Sequence, residues 1–173
     1  MIGMDHYALP EDELALALKK RTLHRNFMGY TTIHNMAQIG VGVSAISDFG
    51  VSYWQNNKDL QQYMNEVSDK IINPRRGIEL DREDQLRREV IETLMCHGEI
   101  SIPDFENRYQ ISFRDHFNNA WLDLEKFAEE GLVQLDSKKI TLTPVGALFT
   151  RNIAMPFDRY LKGSTSMSFS KTI

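Results

Sequence analysis

Hydrophobic positions along the chain recur mostly at three- and four-residue intervals and alternate clearly only once, which predicts helices around a single hairpin. The strongest helix signal covers residues 82–95, where Leu86, Val90, Ile91, Leu94 and Met95 share a face and Gly98 supplies a stop. A short helical turn is predicted at Ile102-Pro103-Asp104-Phe105-Glu106. Phe113, Phe117, Trp121, Leu124 and Phe127 then continue the helical period until Gly131. Residues 132–135 and 140–143 alternate around Asp136-Ser137-Lys138-Lys139, the pattern of a β-hairpin. Thr143-Pro144 caps a last helix containing Val145, Leu148 and Phe149. Helices, a hairpin and a closing helix suggest a winged-helix-like module.

The first part of the chain has a different texture. Residues 10–21 predict a helix with proline near its start, acids in its first turn and bases in its last, matching the helix dipole. Residues 23–32 have neither period, yet they are dense in aromatic and hydrogen-bonding side chains. Residues 39–47, with Gly40 and Gly42, read as a buried strand or strand end, and residues 56–67 as a polar helix carrying Leu60, Tyr63, Met64 and Val67. Asn73-Pro74-Arg75-Arg76-Gly77 is the clearest linker signal, and the closing residues rich in Ser and Thr read as a flexible tail. The organisation is therefore residues 1–72, a helical module at 73–163, and a tail at 164–173. The fold class is mainly α with a small β-hairpin, an α+β chain.

A formal net charge of −4 gives no overall positive field to draw the chain to nucleic acid. The stretch around Ile39 and Ile46 is too short to span a bilayer, and Met1 to His6 lack the basic and apolar regions of a signal peptide. A cytoplasmic location is expected. The single cysteine, Cys96, permits no internal disulfide and cannot hold an iron–sulfur cluster, which takes three or four thiolates. It ends an apolar helical run, where a free cysteine usually serves as a small buried residue. His6, His24, His34, His97 and His116 have no metal-motif spacing, so no metal site is expected.

Gly40-x-Gly42-x-x-Ala45 matches a loose dinucleotide fingerprint, but no second parallel strand follows it. The glycines are better read as places where the backbone approaches a neighbour or ligand closely. Phe27, Met28 and Tyr30 suit either loops packed onto a core or a pocket wall. Arg75-Arg76 and Arg87-Arg88 suit either a solvated face or the carboxylates of a ligand.

Several blocks resemble, in order and spacing, the oxygen-independent coproporphyrinogen III oxidases. They are Gly3-Met4-Asp5-His6-Tyr7, residues 24–32 with His-Arg-Asn-Phe-Met-Gly-Tyr-Thr-Thr, residues 40–47, Tyr53-Trp54-Gln55-Asn56, residues 87–91, Arg151-Asn152-Ile153-Ala154-Met155 and Phe157-Asp158. The resemblance implies radical S-adenosylmethionine enzymes of haem biosynthesis, acting as monomers, that oxidatively decarboxylate coproporphyrinogen III to protoporphyrinogen IX. It further implies a partial (β/α) barrel holding a 4Fe-4S cluster and S-adenosylmethionine, followed by a helical C-terminal domain. This chain would hold the end of the barrel and that domain, without the cluster ligands, and would not be catalytic alone. Ile46 matches a residue that contacts S-adenosylmethionine. Phe27 and Met28 match a Phe-Gln pair needed near the active site, and Met28 replaces the amide with a thioether that can only pack. A haem chaperone of the same superfamily is an alternative. A winged-helix DNA-binding module is another, opposed by the acidic residues between Phe113 and Glu130.

Overall fold

The structure, a computed structural model, describes residues 1–34, 36–70 and 76–161. The predicted tail at 164–173 lies outside the described residues. Helix α1 (Glu13–Lys20) opens the ordered elements, with the Asp12 carboxylate accepting from the Leu14 amide and Lys19 and Lys20 in the last turn. A hairpin of β1 (His24–Asn26) and β2 (Gly29–Thr31) follows. Residues without period therefore form strands, because three-residue strands are too short to display alternation.

A second antiparallel sheet has the order β3 (Ile46–Asp48), β4 (Ser52–Gln55), β5 (Arg76–Glu79). The buried strand expected at 39–47 is largely a loop, with Ile39 73% and Val41 86% exposed. Side chains hold this loop together with a few backbone bonds, the Gln38–Asp48 bridge at its start and those of Ser44 and Ala45 to Asn57 and Asn56 at its end. The Asn56 amide donates to the Gly40 and Gly42 carbonyls at 3.1 and 2.9 Å, and the Gly42 N–H donates to the Tyr63 hydroxyl at 3.0 Å. Gly40 lies so close to β3 that an added Cβ would come within 2.6 Å of the Ile46 carbonyl oxygen. The element directly after the glycines is strand β3 and not a helix, so they do not build a dinucleotide-binding turn. Helix α2 (Leu60–Ser68) starts at Asp59, whose carboxylate accepts from the Gln62 amide. Of the predicted linker, residues 73–75 lie outside the described residues, and Arg76 and Gly77 begin β5.

Helix α3 (Arg82–His97) is the axis of the molecule. A reciprocal capping box between Asp81 and Asp84 starts it, and Gly98 ends it at φ 66°, a left-handed conformation that glycine adopts without strain. Leu86, Val90 and Leu94 enter the larger core. Cys96 enters a second core with Ile2, Ala17, Leu23 and Tyr30. One helix thus joins the first part of the chain to the last.

The remaining elements build the larger core. They are β6 (Glu99–Ser101), α4 (Ile102–Tyr109), α5 (Phe113–His116), α6 (Asn118–Glu129), β7 (Val133–Leu135), β8 (Lys139–Leu142) and α7 (Thr150–Ala154). The predicted hairpin is β7–β8, and β6 adds to the free side of β8 to give the order β6-β8-β7. The helix predicted through Phe113 and Phe127 breaks at Phe117, where φ is −103° and ψ is 32°. That bend lets Phe113 and Phe117 both reach the interior, where Phe117 meets Phe157 edge to face at 5.5 Å. The expected last helix begins as a 3-10 turn over Gly146–Phe149.

Candidate functional site

The β1–β2 turn carries the expected site residues 27 and 28. Asn26 shapes it, its side-chain oxygen accepting from the Met28 amide at 2.8 Å. Phe27 packs edge to face on Tyr53 with ring centroids 5.0 Å apart, while Met28 is 84% exposed. Ile46 begins β3 and is half-buried.

Two cavities adjoin across a shared wall of Arg25, Asn26, Asp48, Arg88 and Glu92. The smaller, about 490 Å³, is lined by Phe27, Tyr53, Ile91, Met95, Phe157 and Tyr160 among others. The larger, about 1000 Å³, is lined by polar residues including His24, His34, Gln38 and His97. The structure therefore places Phe27 on a cavity wall. Met28 and Ile46 line neither cavity.

Arg88 is the pillar of the shared wall. Its guanidinium grips the Asp48 carboxylate through Nη2–Oδ2 at 2.7 Å and Nη1–Oδ1 at 3.3 Å, and Nη1 also donates to the Gly50 carbonyl. It lies 5.1 Å from the centre of the Tyr53 ring. Burial raises the Tyr53 hydroxyl to about 12 against the opposing charge of Arg88, so the phenol stays protonated. Arg87 is also committed, to Glu83 and to the Phe157 carbonyl. Neither arginine of this pair has its charge unspent. Arg76 is an exposed strand residue, and Arg75 lies outside the described residues.

Arg25 and its neighbours were not singled out by the sequence pattern. Arg25 stacks 5.0 Å from the centre of the Tyr30 ring, and His24 stacks on His34 at 3.8 Å while sharing a hydrogen bond with Glu92. Local period carries no information about these partners, because Glu92 is 68 positions from His24. His97 is held below the usual imidazole range first by burial and then by the charges of Arg21 and His24.

Cys96 is buried, and burial raises its thiol to about 12, so it is a poor metal ligand. Among the described residues no group of three or more His, Cys, Asp or Glu is placed to hold a metal ion. These residues do not fit an iron–sulfur cluster. For S-adenosylmethionine, Ile46 and the loop before it offer an apolar edge outside both of these cavities. No helix among the described residues is long and apolar enough to cross a membrane.

The HemN C-terminal domain family matches residues 80–149. An oxygen-independent coproporphyrinogen III oxidase of Pseudomonas aeruginosa is 46% identical over 172 residues, covering 99% of this chain and 37% of that protein. One of Escherichia coli is 44% identical over 173 residues, covering 99% of this chain and 38% of that protein. A solved structure, described as coproporphyrinogen III oxidase from Escherichia coli and a radical SAM enzyme, superposes with a TM-score of 0.86 at 45% identity. That match covers 92% of this chain and 37% of the other. The chain thus spans well under half the length of these relatives.

Proposed function

We propose that the chain, which matches the C-terminal part of oxygen-independent coproporphyrinogen III oxidases, is a member of that family and forms the substrate-facing part of such an enzyme. The reaction is oxidative decarboxylation of two propionate side chains of coproporphyrinogen III to vinyl groups, giving protoporphyrinogen IX. S-adenosylmethionine and a 4Fe-4S cluster supply the oxidising radical when the rest of the enzyme is present. This chain contributes none of the cluster ligands, since it has one cysteine and that one is buried. It is therefore inactive alone.

Within that reading residues 1–72 close the catalytic domain and residues 73–163 form the helical domain behind it. Phe27, held on Tyr53 at the rim of the smaller cavity, is the residue whose placement carries the proposal. It presents an aromatic face where a tetrapyrrole can lie. Met28 projects beside it and offers packing without hydrogen bonds. Ile46 provides apolar contact for the adenosyl group. Location in the cytoplasm and action as a monomer complete the reading.

The test is genetic. Residues 1–173 replace the matching segment of the Escherichia coli relative, in a strain lacking its own oxidase. Anaerobic growth restored by the chimera, and lost on Phe27→Ala, supports the proposal. A chimera that is soluble and folded but restores no growth refutes it.

A further inference from the structure

Buried polar atoms normally find partners, so those that do not are informative. Among the described residues three side-chain atoms are buried without a hydrogen-bond partner: Arg25 Nη1, Gln38 Oε1 and His97 Nδ1. All three residues line the same 1000 Å³ cleft. They lie far apart in the sequence and on different elements, so one local distortion does not account for them together.

The charges around the cleft narrow what fills it. Arg21, Arg88 and Arg108 are each paired with a carboxylate, of Glu99, Asp48 and Glu89 respectively. Glu92 is taken up by His24 and by the Arg25 backbone amide. The Arg25 guanidinium, stacked on the Tyr30 ring, has no ion pair among the described residues, and the imidazoles of His24, His34 and His97 on the same lining carry ring N–H groups that can donate. A carboxylate is an acceptor for guanidinium and imidazole N–H donors alike. A volume of about 1000 Å³ also lies at the upper end for small-molecule sites, which suits a large ligand.

We propose that this cleft is a binding site for a carboxylate-bearing ligand, with Arg25 as the residue that pairs with a carboxylate, His97 donating a second hydrogen bond to it, and the Gln38 amide oxygen accepting from a donor elsewhere on the same ligand. The ligand's identity rests on the function proposed above, under which the carboxylates are propionates of the tetrapyrrole. The cleft would then hold a propionate away from the reacting one, and so orient the ring over Phe27. Arg25 is a positioning residue in this scheme, not a catalytic one.

The test is calorimetric titration of the 173-residue chain with two probes, coproporphyrin III and citrate. Wild-type protein should bind coproporphyrin III, and Arg25→Gln should weaken that binding by about tenfold or more, as expected for a lost charge-assisted pair. Arg25→Lys, which keeps the charge and packs similarly, should lose less, and His97→Gln should lose several-fold. Circular dichroism identifies any variant that fails to fold, and the other two then carry the test. Citrate binding through Arg25 without coproporphyrin III binding supports the cleft as a carboxylate site and refutes the tetrapyrrole reading. Coproporphyrin III bound equally by wild type and the folded variants overturns the cleft and leaves that reading standing. Binding of neither probe overturns the proposal.

Discussion

Arg88 on α3 grips Asp48 at the end of β3 through two parallel hydrogen bonds, at 2.7 and 3.3 Å, and this bond ties the first part of the chain to the last. Asp48 is buried, and its Oδ1 also accepts from the Gly50 amide at 2.8 Å, which shapes the β3–β4 turn. Removing the carboxylate leaves a half-buried guanidinium uncompensated and frees the turn. Asp48→Ala should therefore cost about 3 kcal/mol, within the range for breaking a buried pair. Urea denaturation measures it, and a loss under about 0.5 kcal/mol, the size of an ordinary surface change, would contradict the assignment.

Cys96 tests the second core. Burial raises its thiol to about 12, so almost no thiolate exists near neutral pH, and Leu23 and Tyr30 shield it. Iodoacetamide at pH 8 should leave the folded chain unmodified and label it fully in urea. Mass spectrometry follows the label. Rapid labelling of the native chain would show that the first segment does not pack on α3 as described.

His97 gives a pH dependence of known sign. Burial, then Arg21 and His24, hold its pKa below the unfolded value of 6.5. Between those two values the unfolded chain binds the proton and the folded chain does not, so stability falls as pH drops from 6.5 through the folded pKa. His97→Gln removes this contribution. The loss of stability from pH 7.5 to 5.5 should be smaller in the variant than in wild type, by urea midpoints. An equal loss would contradict the burial of the ring.

Two glycines separate steric need from conformational need. A Cβ on Gly146 would meet the Leu132 carbonyl oxygen at 1.8 Å, which no side-chain movement relieves. A Cβ on Gly42 meets nothing within 4 Å, although its φ of +116° strains other residues. Gly146→Ala should abolish folding of the larger core, whereas Gly42→Ala should cost about 1–3 kcal/mol as backbone strain. Similar thermal midpoints for the two variants would contradict this distinction.

The helical module was legible because its core residues announce themselves by period. Leu86, Val90, Leu94, Phe113, Phe117 and Leu124 are all buried as the spacing requires. The break at Phe117 was not legible, since both halves keep the same apolar interval across it. Residues 24–31 failed for a different reason, because strands of three residues carry too few positions to alternate. Ile39 and Val41 were misread as buried, since the pattern cannot distinguish a buried strand from an exposed loop held by the distant Asn56. Of the residues that the resemblance singles out, Phe27 lies on a cavity wall, and Met28 and Ile46 line neither cavity. Arg25, Gln38 and His97 are silent in the sequence, because only the three-dimensional arrangement shows that one buried side-chain atom of each lacks a hydrogen-bond partner.

Under the proposed function, residues 1–173 serve as the C-terminal part of an oxygen-independent coproporphyrinogen III oxidase. The most direct measurement is anaerobic turnover of coproporphyrinogen III by a purified chimera, with residues 1–173 in place of the matching segment of the Escherichia coli relative. Protoporphyrinogen IX together with 5′-deoxyadenosine is expected from the chimera, and neither from the isolated chain after iron and sulfide are supplied. A folded chimera with its cluster intact that forms no protoporphyrinogen IX, or 5′-deoxyadenosine from the isolated chain, would contradict it.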